Sequence, residues 1–176
     1  MKKDLLIWKE RNFYPKVSIN ISPESICNEN IVQKIIDEFK GFKVSIEILE
    51  RTFAKEMNLF IKNIEKLREN GFKIYIDDFG SGFSCLQYLN ILPMDFIKLD
   101  RNLILNAKTK SGETLYKNIA TMCKNQNFEI VAEGIETEKE IKIVKESNIN
   151  VVQGFYFSKA LPASSLENYE IDLEKK

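Results

Sequence analysis

Followed from one end to the other, the chain breaks into short apolar runs, each ending on a polar or charged residue. Val17-Ser18-Ile19 leads to Asn20, Val44-Ser45-Ile46 to Glu47 and Glu50, and Ile74-Tyr75-Ile76 to Asp77 and Asp78. Phe96-Ile97 leads to Lys98 and Asp100, Ile130-Val131-Ala132 to Glu133 and Glu136, and Val151-Val152 to Gln153. Short apolar runs of this kind read as strands. Helical periodicity fills the gaps between them. From Lys55 to Asn70 the residues Met57, Phe60, Ile61, Ile64 and Leu67 recur at three- and four-residue spacing, and from Thr114 to Asn125 the same spacing marks Leu115, Ile119 and Met122 for burial. A helix-like segment from Lys3 to Asn12, with Leu5, Leu6 and Trp8, comes before the first strand.

Strands alternating with helices predict a parallel sheet with right-handed crossovers. Polar groups after six successive strands favour a TIM-type (β/α) barrel, whose reactive side chains sit at the C-terminal strand ends, over an open doubly wound sheet with its single crevice. A closed barrel takes eight strands and about 250 residues. Six strand-helix units in 176 residues therefore predict an incomplete α/β barrel of about six parallel strands, with the missing material at the front. We expect one partial domain over residues 1–176, its motifs running from about residue 16 to 162 and a short charged tail following. Its open edges would need cover from a second copy or a partner chain, because bare strand edges are templates for pairing.

The segment Tyr75-Ile76-Asp77-Asp78-Phe79-Gly80-Ser81-Gly82 delivers two adjacent carboxylates into a glycine-rich loop. Neighbouring strand residues point to opposite faces, so both can reach one ion only where the backbone turns, and Gly80 and Gly82 permit a turn. Taken alone, such a pair could instead cap a helix. Asn20, just before Ser22-Pro23, could likewise start a helix, and Lys98, close to Asp100, could be an ordinary surface ion-pair partner. The embedded Asp78-Phe79-Gly80 is not kinase-like, since no phosphate-cradling glycine loop or His-Arg-Asp accompanies it.

Composition narrows the chemistry. There is no histidine, which removes histidine-based nucleophilic catalysis and histidine-containing zinc sites. Cys27, Cys85 and Cys123 are scattered and read as reduced core residues. A metal would then be held by carboxylate and amide oxygens, a donor set suited to magnesium or manganese. The 26 basic and 26 acidic residues cancel, which argues against a nucleic-acid polymer as partner. Leu5 to Trp8 is too short an apolar run for a membrane span, and the chain is expected to be cytoplasmic.

The segments Ile19-Asn20-Ile21-Ser22-Pro23, Ile46-Glu47-Ile48-Leu49-Glu50, Ile76 to Ser84, Leu92 to Asp100, Val131-Ala132-Glu133-Gly134-Ile135-Glu136-Thr137 and Gln153-Gly154-Phe155-Tyr156-Phe157-Ser158-Lys159 follow one another in one order. They resemble the successive motifs of EAL domains, the bacterial cyclic-di-GMP phosphodiesterase family. Leu49 and Cys85 depart from the residues common there, and no Glu-Ala-Leu signature occurs, so the likeness is to the family without its first two strands. By unit spacing the deficit is on the order of 60 residues.

The resemblance implies two-metal hydrolysis of cyclic-di-GMP to the linear dinucleotide, with Mg2+ or Mn2+ and one ligand missing. It assigns Asn20, Glu47, Asp77, Asp78 and Glu133 as metal ligands, with Lys98 and Glu133 in the catalytic role. Asp100, Glu136 and Gln153 would line the substrate pocket, and Glu50 would anchor the loop after Asp78. That loop, residues 79–89, would lie beside the substrate and a dimer contact. Three functions follow: a phosphodiesterase impaired as this chain alone, a noncatalytic module binding cyclic-di-GMP or a protein, or the remnant of a split gene.

Overall fold

The computed structural model describes residues 1–49, 56–82 and 89–169. Its strands are β1 (Val17–Asn20), β2 (Val44–Leu49), β3 (Lys73–Phe79), β4 (Phe96–Leu99), β5 (Glu129–Ala132) and β6 (Val151–Val152). They form one sheet in the order β1-β2-β3-β4-β5-β6, and every neighbouring pair is parallel. This is the strand order of a barrel wall, six strands wide among the described residues. Among the described residues, β1 bonds only to β2 and β6 only to β5.

The helices are α1 (Lys2–Glu10), α2 (Pro23–Ile26), α3 (Glu29–Phe39), α4 (Met57–Glu69), α5 (Arg101–Asn106), α6 (Lys110–Asn125) and α7 (Glu138–Glu146), followed by a 3-10 turn at Ala163–Asn168. Caps set several starts. Ser22 accepts from the Ser25 N–H at α2, and Thr137 and Glu140 form a reciprocal capping box at α7. Ser22 thus begins the helix after β1, and Asn20 is not its cap.

One face of the sheet is apolar and covered by helices. Ile46, Ile48, Ile74, Ile76, Ile97, Leu99, Ile130 and Ala132 join Val32, Ile35 and Ile36 of α3, Phe60, Ile64 and Leu67 of α4, and Ile141 and Val144 of α7 in a single core. Each fully buried Ile, Leu or Phe contributes roughly 1.5–3 kcal/mol relative to exposure, so this layer fixes the strands and leaves the opposite face free for polar groups. On that opposite face the Tyr75 and Phe96 rings, cross-strand partners, stack with centroids 4.3 Å apart.

One expectation needs correction. On α6 the buried line is Tyr116, Ala120 and Cys123, while Leu115 is 53% exposed; Ile119 and Met122 pack at the core's margin. On α1, Leu5 and Trp8 are buried and Leu6 faces outward.

Candidate active site

Alternation would send Asp77 and Asp78 to opposite faces, and the structure avoids this without waiting for the glycines. Ile76 pairs with Ile97 and Phe79 with Leu99, so two residues of β3 stand opposite the single Lys98 of β4. Asp78 takes up the extra length with φ 57°. This is a β-bulge, which re-aims a side chain within a strand. Asp77 and Asp78 thereby join Glu133 in a group whose carboxylate oxygens lie within 4.8 Å of one another. The expected turn at Gly80 comes two residues too late to bring the pair together: β3 continues through Phe79.

At the centre stands Lys98. Its Nζ contacts Glu47 Oε2 at 2.9 Å, Asp77 Oδ1 at 2.8 Å and Glu133 Oε1 at 2.8 Å, and its side chain is 5% exposed. This is no surface pair. Burial alone would lower the ammonium's pKa, but the hydrogen bonds to Asp77, Glu133 and Glu47 outweigh it and hold the value well above that of an ordinary lysine. Burial raises the pKa of Glu133, Lys98 opposes that shift, and the charges of Asp77 and Glu47 add to it. One cation thus gathers three carboxylates from β2, β3 and the end of β5.

The remaining predicted residues lie around this centre in different states. Asn20 is the cross-strand partner of Glu47 at the exposed end of β1. Asp100 caps α5, accepting from the backbone N–H and the side-chain amide of Asn102 at 2.9 and 2.8 Å. Glu136 is paired with Arg101 at 2.8 Å. Gln153, exposed after β6, ties two exits together: its N–H donates to Ala132 O, and its carbonyl accepts from Ile135 N–H. Glu50 and residues 83–88 of the loop after Asp78, Cys85 among them, lie outside the described residues. Of the other cysteines, Cys123 is fully buried, its thiol pushed up to about 11 by burial, and Cys27 packs half-buried against the core.

Carboxylate oxygens, half-buried and converging, fit a hard divalent cation such as magnesium, manganese or calcium. Nothing in the strand pattern singles out Arg101 or the Tyr75–Phe96 stack. The only available sign was position, Arg101 directly following Asp100 and the two aromatics preceding the charged strand ends.

The sequence matches the family model of the EAL domain over residues 1–160. This chain belongs to the EAL domain family. It is 28% identical over 168 residues to the cyclic di-GMP phosphodiesterase PdeR of Escherichia coli K12, an alignment covering 92% of the chain and 25% of PdeR. The chain thus spans about a quarter of that relative's length. Among solved structures, the EAL domain of Mycobacterium smegmatis DcpA superposes with a TM-score of 0.86 at 25% identity, over 95% of this chain and 78% of that one. Klebsiella pneumoniae BlrP1, solved with manganese and cyclic-di-GMP, gives a TM-score of 0.78 at 28% identity, over 89% of this chain and 42% of that one. Among the described residues of this EAL domain, no helix is long and apolar enough to cross a membrane.

Proposed function

We propose that this EAL domain carries the larger part of the site of a divalent-metal-dependent phosphodiesterase that hydrolyses one phosphodiester bond of cyclic-di-GMP to give the linear dinucleotide. The observation carrying this reading is the Asp77, Asp78 and Glu133 carboxylate group beside a buried lysine at the strand ends. The name of PdeR and the ligands of BlrP1 support the substrate and the metal.

Asp77, Asp78 and Glu133 would hold the metal, with Glu47 and Asn20 extending the donor set. When bound, divalent ions supply charge neutralisation at the phosphate and acidify water, and Mg2+ or Mn2+ suits these oxygen donors. The chain's own contribution is positional. Lys98 holds Glu47, Asp77 and Glu133 in register, and its ammonium would orient the attacking water and offset negative charge on the phosphate. Asp100, Glu136 and Gln153, on the surrounding strand exits, would line the dinucleotide's pocket.

A second reading, a binding module without turnover, is favoured by the width of the sheet. Six strands among the described residues leave the inner face open, where a closed barrel uses eight. The edges of β1 and β6 would then be covered by a second copy or a partner chain. The same proposal places the domain in the cytoplasm.

Measuring conversion to the linear dinucleotide with manganese, beside Asp77→Asn as a blank, separates the two. Loss of one electrostatic or positioning element commonly costs about 100- to 1000-fold, and we expect this chain alone to turn over at least that much more slowly than ordinary enzymes. Turnover of roughly 1 per second or faster would show that the open inner face does not impair the site. No turnover together with measurable cyclic-di-GMP binding would favour the module.

A further inference from the structure

Glu133 sits one residue past β5, its backbone joined to β4 by a long bond from its N–H to Leu99 O at 3.3 Å. The turn that follows passes through Gly134, with φ 66°. A side chain at Gly134 has no room, because its Cβ would come within 2.4 to 2.7 Å of Cβ, Cγ and Cδ of Arg101. The aliphatic stem of Arg101 therefore lies directly on the glycine, and the guanidinium continues to Glu136 Oε2 at 2.8 Å. The base of this arm is fixed as well. Asp100, immediately before it, donates its N–H to Phe79 O and caps α5 through its carboxylate.

We propose that Arg101 is a positioning residue: it braces the exit turn of β5 from the end of β4 and so holds the Glu133 carboxylate toward Lys98 and the metal group. Its stem does most of this. The ion pair is about half-exposed, with side chains 45% and 35% accessible, and exposed pairs contribute little. Packing on Gly134 leaves Glu133 fewer positions to adopt. This inference rests on the proposed metal site, so its test needs one readout that depends on the metal and one that does not.

The first readout is Mn2+ affinity of the full chain, followed by the paramagnetic resonance signal of free Mn2+. Partners of metal ligands commonly matter by 10- to 100-fold in affinity. Arg101→Ala should weaken binding about tenfold, with thermal melting showing that the fold persists, whereas Arg101→Lys, which keeps the methylene stem, should stay within about threefold of the parent. Glu136→Gln should also stay close to the parent. The second readout is hydrogen exchange at the Glu133 and Ile135 amides of the metal-free chain, expected to be faster in Arg101→Ala and near the parent rate in Arg101→Lys.

If the parent chain does not bind Mn2+, the proposed function fails, and the brace is judged on exchange alone. Should Arg101→Ala not fold, Arg101→Gln, with a shorter stem, replaces it, and a smaller weakening or acceleration is expected. Unchanged affinity and exchange in the folded short-stem variant would overturn the proposal. A lysine variant as weak as the alanine variant would overturn the role given to the stem.

Discussion

A buried cation that gathers three carboxylates has consequences before any ligand arrives. Removing Lys98 leaves Glu47, Asp77 and Glu133 facing one another with no compensating charge, and stripping one partner from a buried ionic group commonly costs about 3–5 kcal/mol. Lys98→Met should therefore lose about 3 kcal/mol in urea unfolding of the metal-free chain, and Mn2+ should recover part of it by supplying the missing positive charge. Equal stability with and without the lysine would rule out a holding role. At the other end of the sheet, Asp95 receives Lys73 Nζ at 2.8 Å, the Ile74 N–H at 3.0 Å and Arg68 Nη2 at 3.3 Å. Burial pushes its pKa up, but these donors outweigh it and hold the carboxyl below the usual range. A depressed carboxylate pKa adds stability that is present above the unfolded value and lost as pH falls through the folded one. Asp95→Asn should cost about 2 kcal/mol at pH 7, with the gap closing as pH falls from about 4 into stronger acid. Urea titrations at neutral pH and in acid measure it. A gap that persists in acid would mean that packing, not charge, accounts for the loss.

Among the elements, the strands were legible because both of their signals, an apolar run and a polar end, are local. The stripe on α6 was not. Counting only Leu115, Ile119 and Met122 as apolar overlooked Tyr116, Ala120 and Cys123, which are small or amphipathic yet form the buried line. Helical spacing alone left the two faces nearly equivalent, and contact with the sheet decided between them. Leu115→Lys should accordingly change stability by no more than about 0.5 kcal/mol, while Ala120→Leu, forced into filled space, should cost about 1–3 kcal/mol; thermal melting of the two variants distinguishes the faces. The sequence predicts the convergence of Asp77 and Asp78 but points to the glycine turn, not a bulge, as its cause. A bulge depends on what the neighbouring strand pairs with, and β4 lies many residues away in sequence.

For the molecule as a whole, the strand order and the parallel pairing follow from the βα alternation. How the open edges are protected does not, because that depends on chains or segments beyond the sheet's own pattern. Leu49 at the end of β2 and Val151 on β6 are 42% and 43% exposed. Light scattering should show self-association at high concentration, and a stable monomer with low binding of an apolar dye would count against it. The two ends of the described chain already meet in one place, where Arg11 Nη1 donates to both carboxylate oxygens of Glu167 at 3.0 Å.

The bulge also makes the sheet and its chemistry separable by arithmetic. Asp78 is one residue more than the ladder needs: without it, Asp77 would fall opposite Lys98, and Phe79 would keep its place against Leu99. A chain shortened by that single residue should keep the β3–β4 pairing, read as an unchanged far-ultraviolet circular dichroism spectrum, while losing one of the carboxylates grouped with Glu133. Scaffold and candidate site are written in the same strand, and at Asp78 a deletion rather than a substitution is what tells them apart.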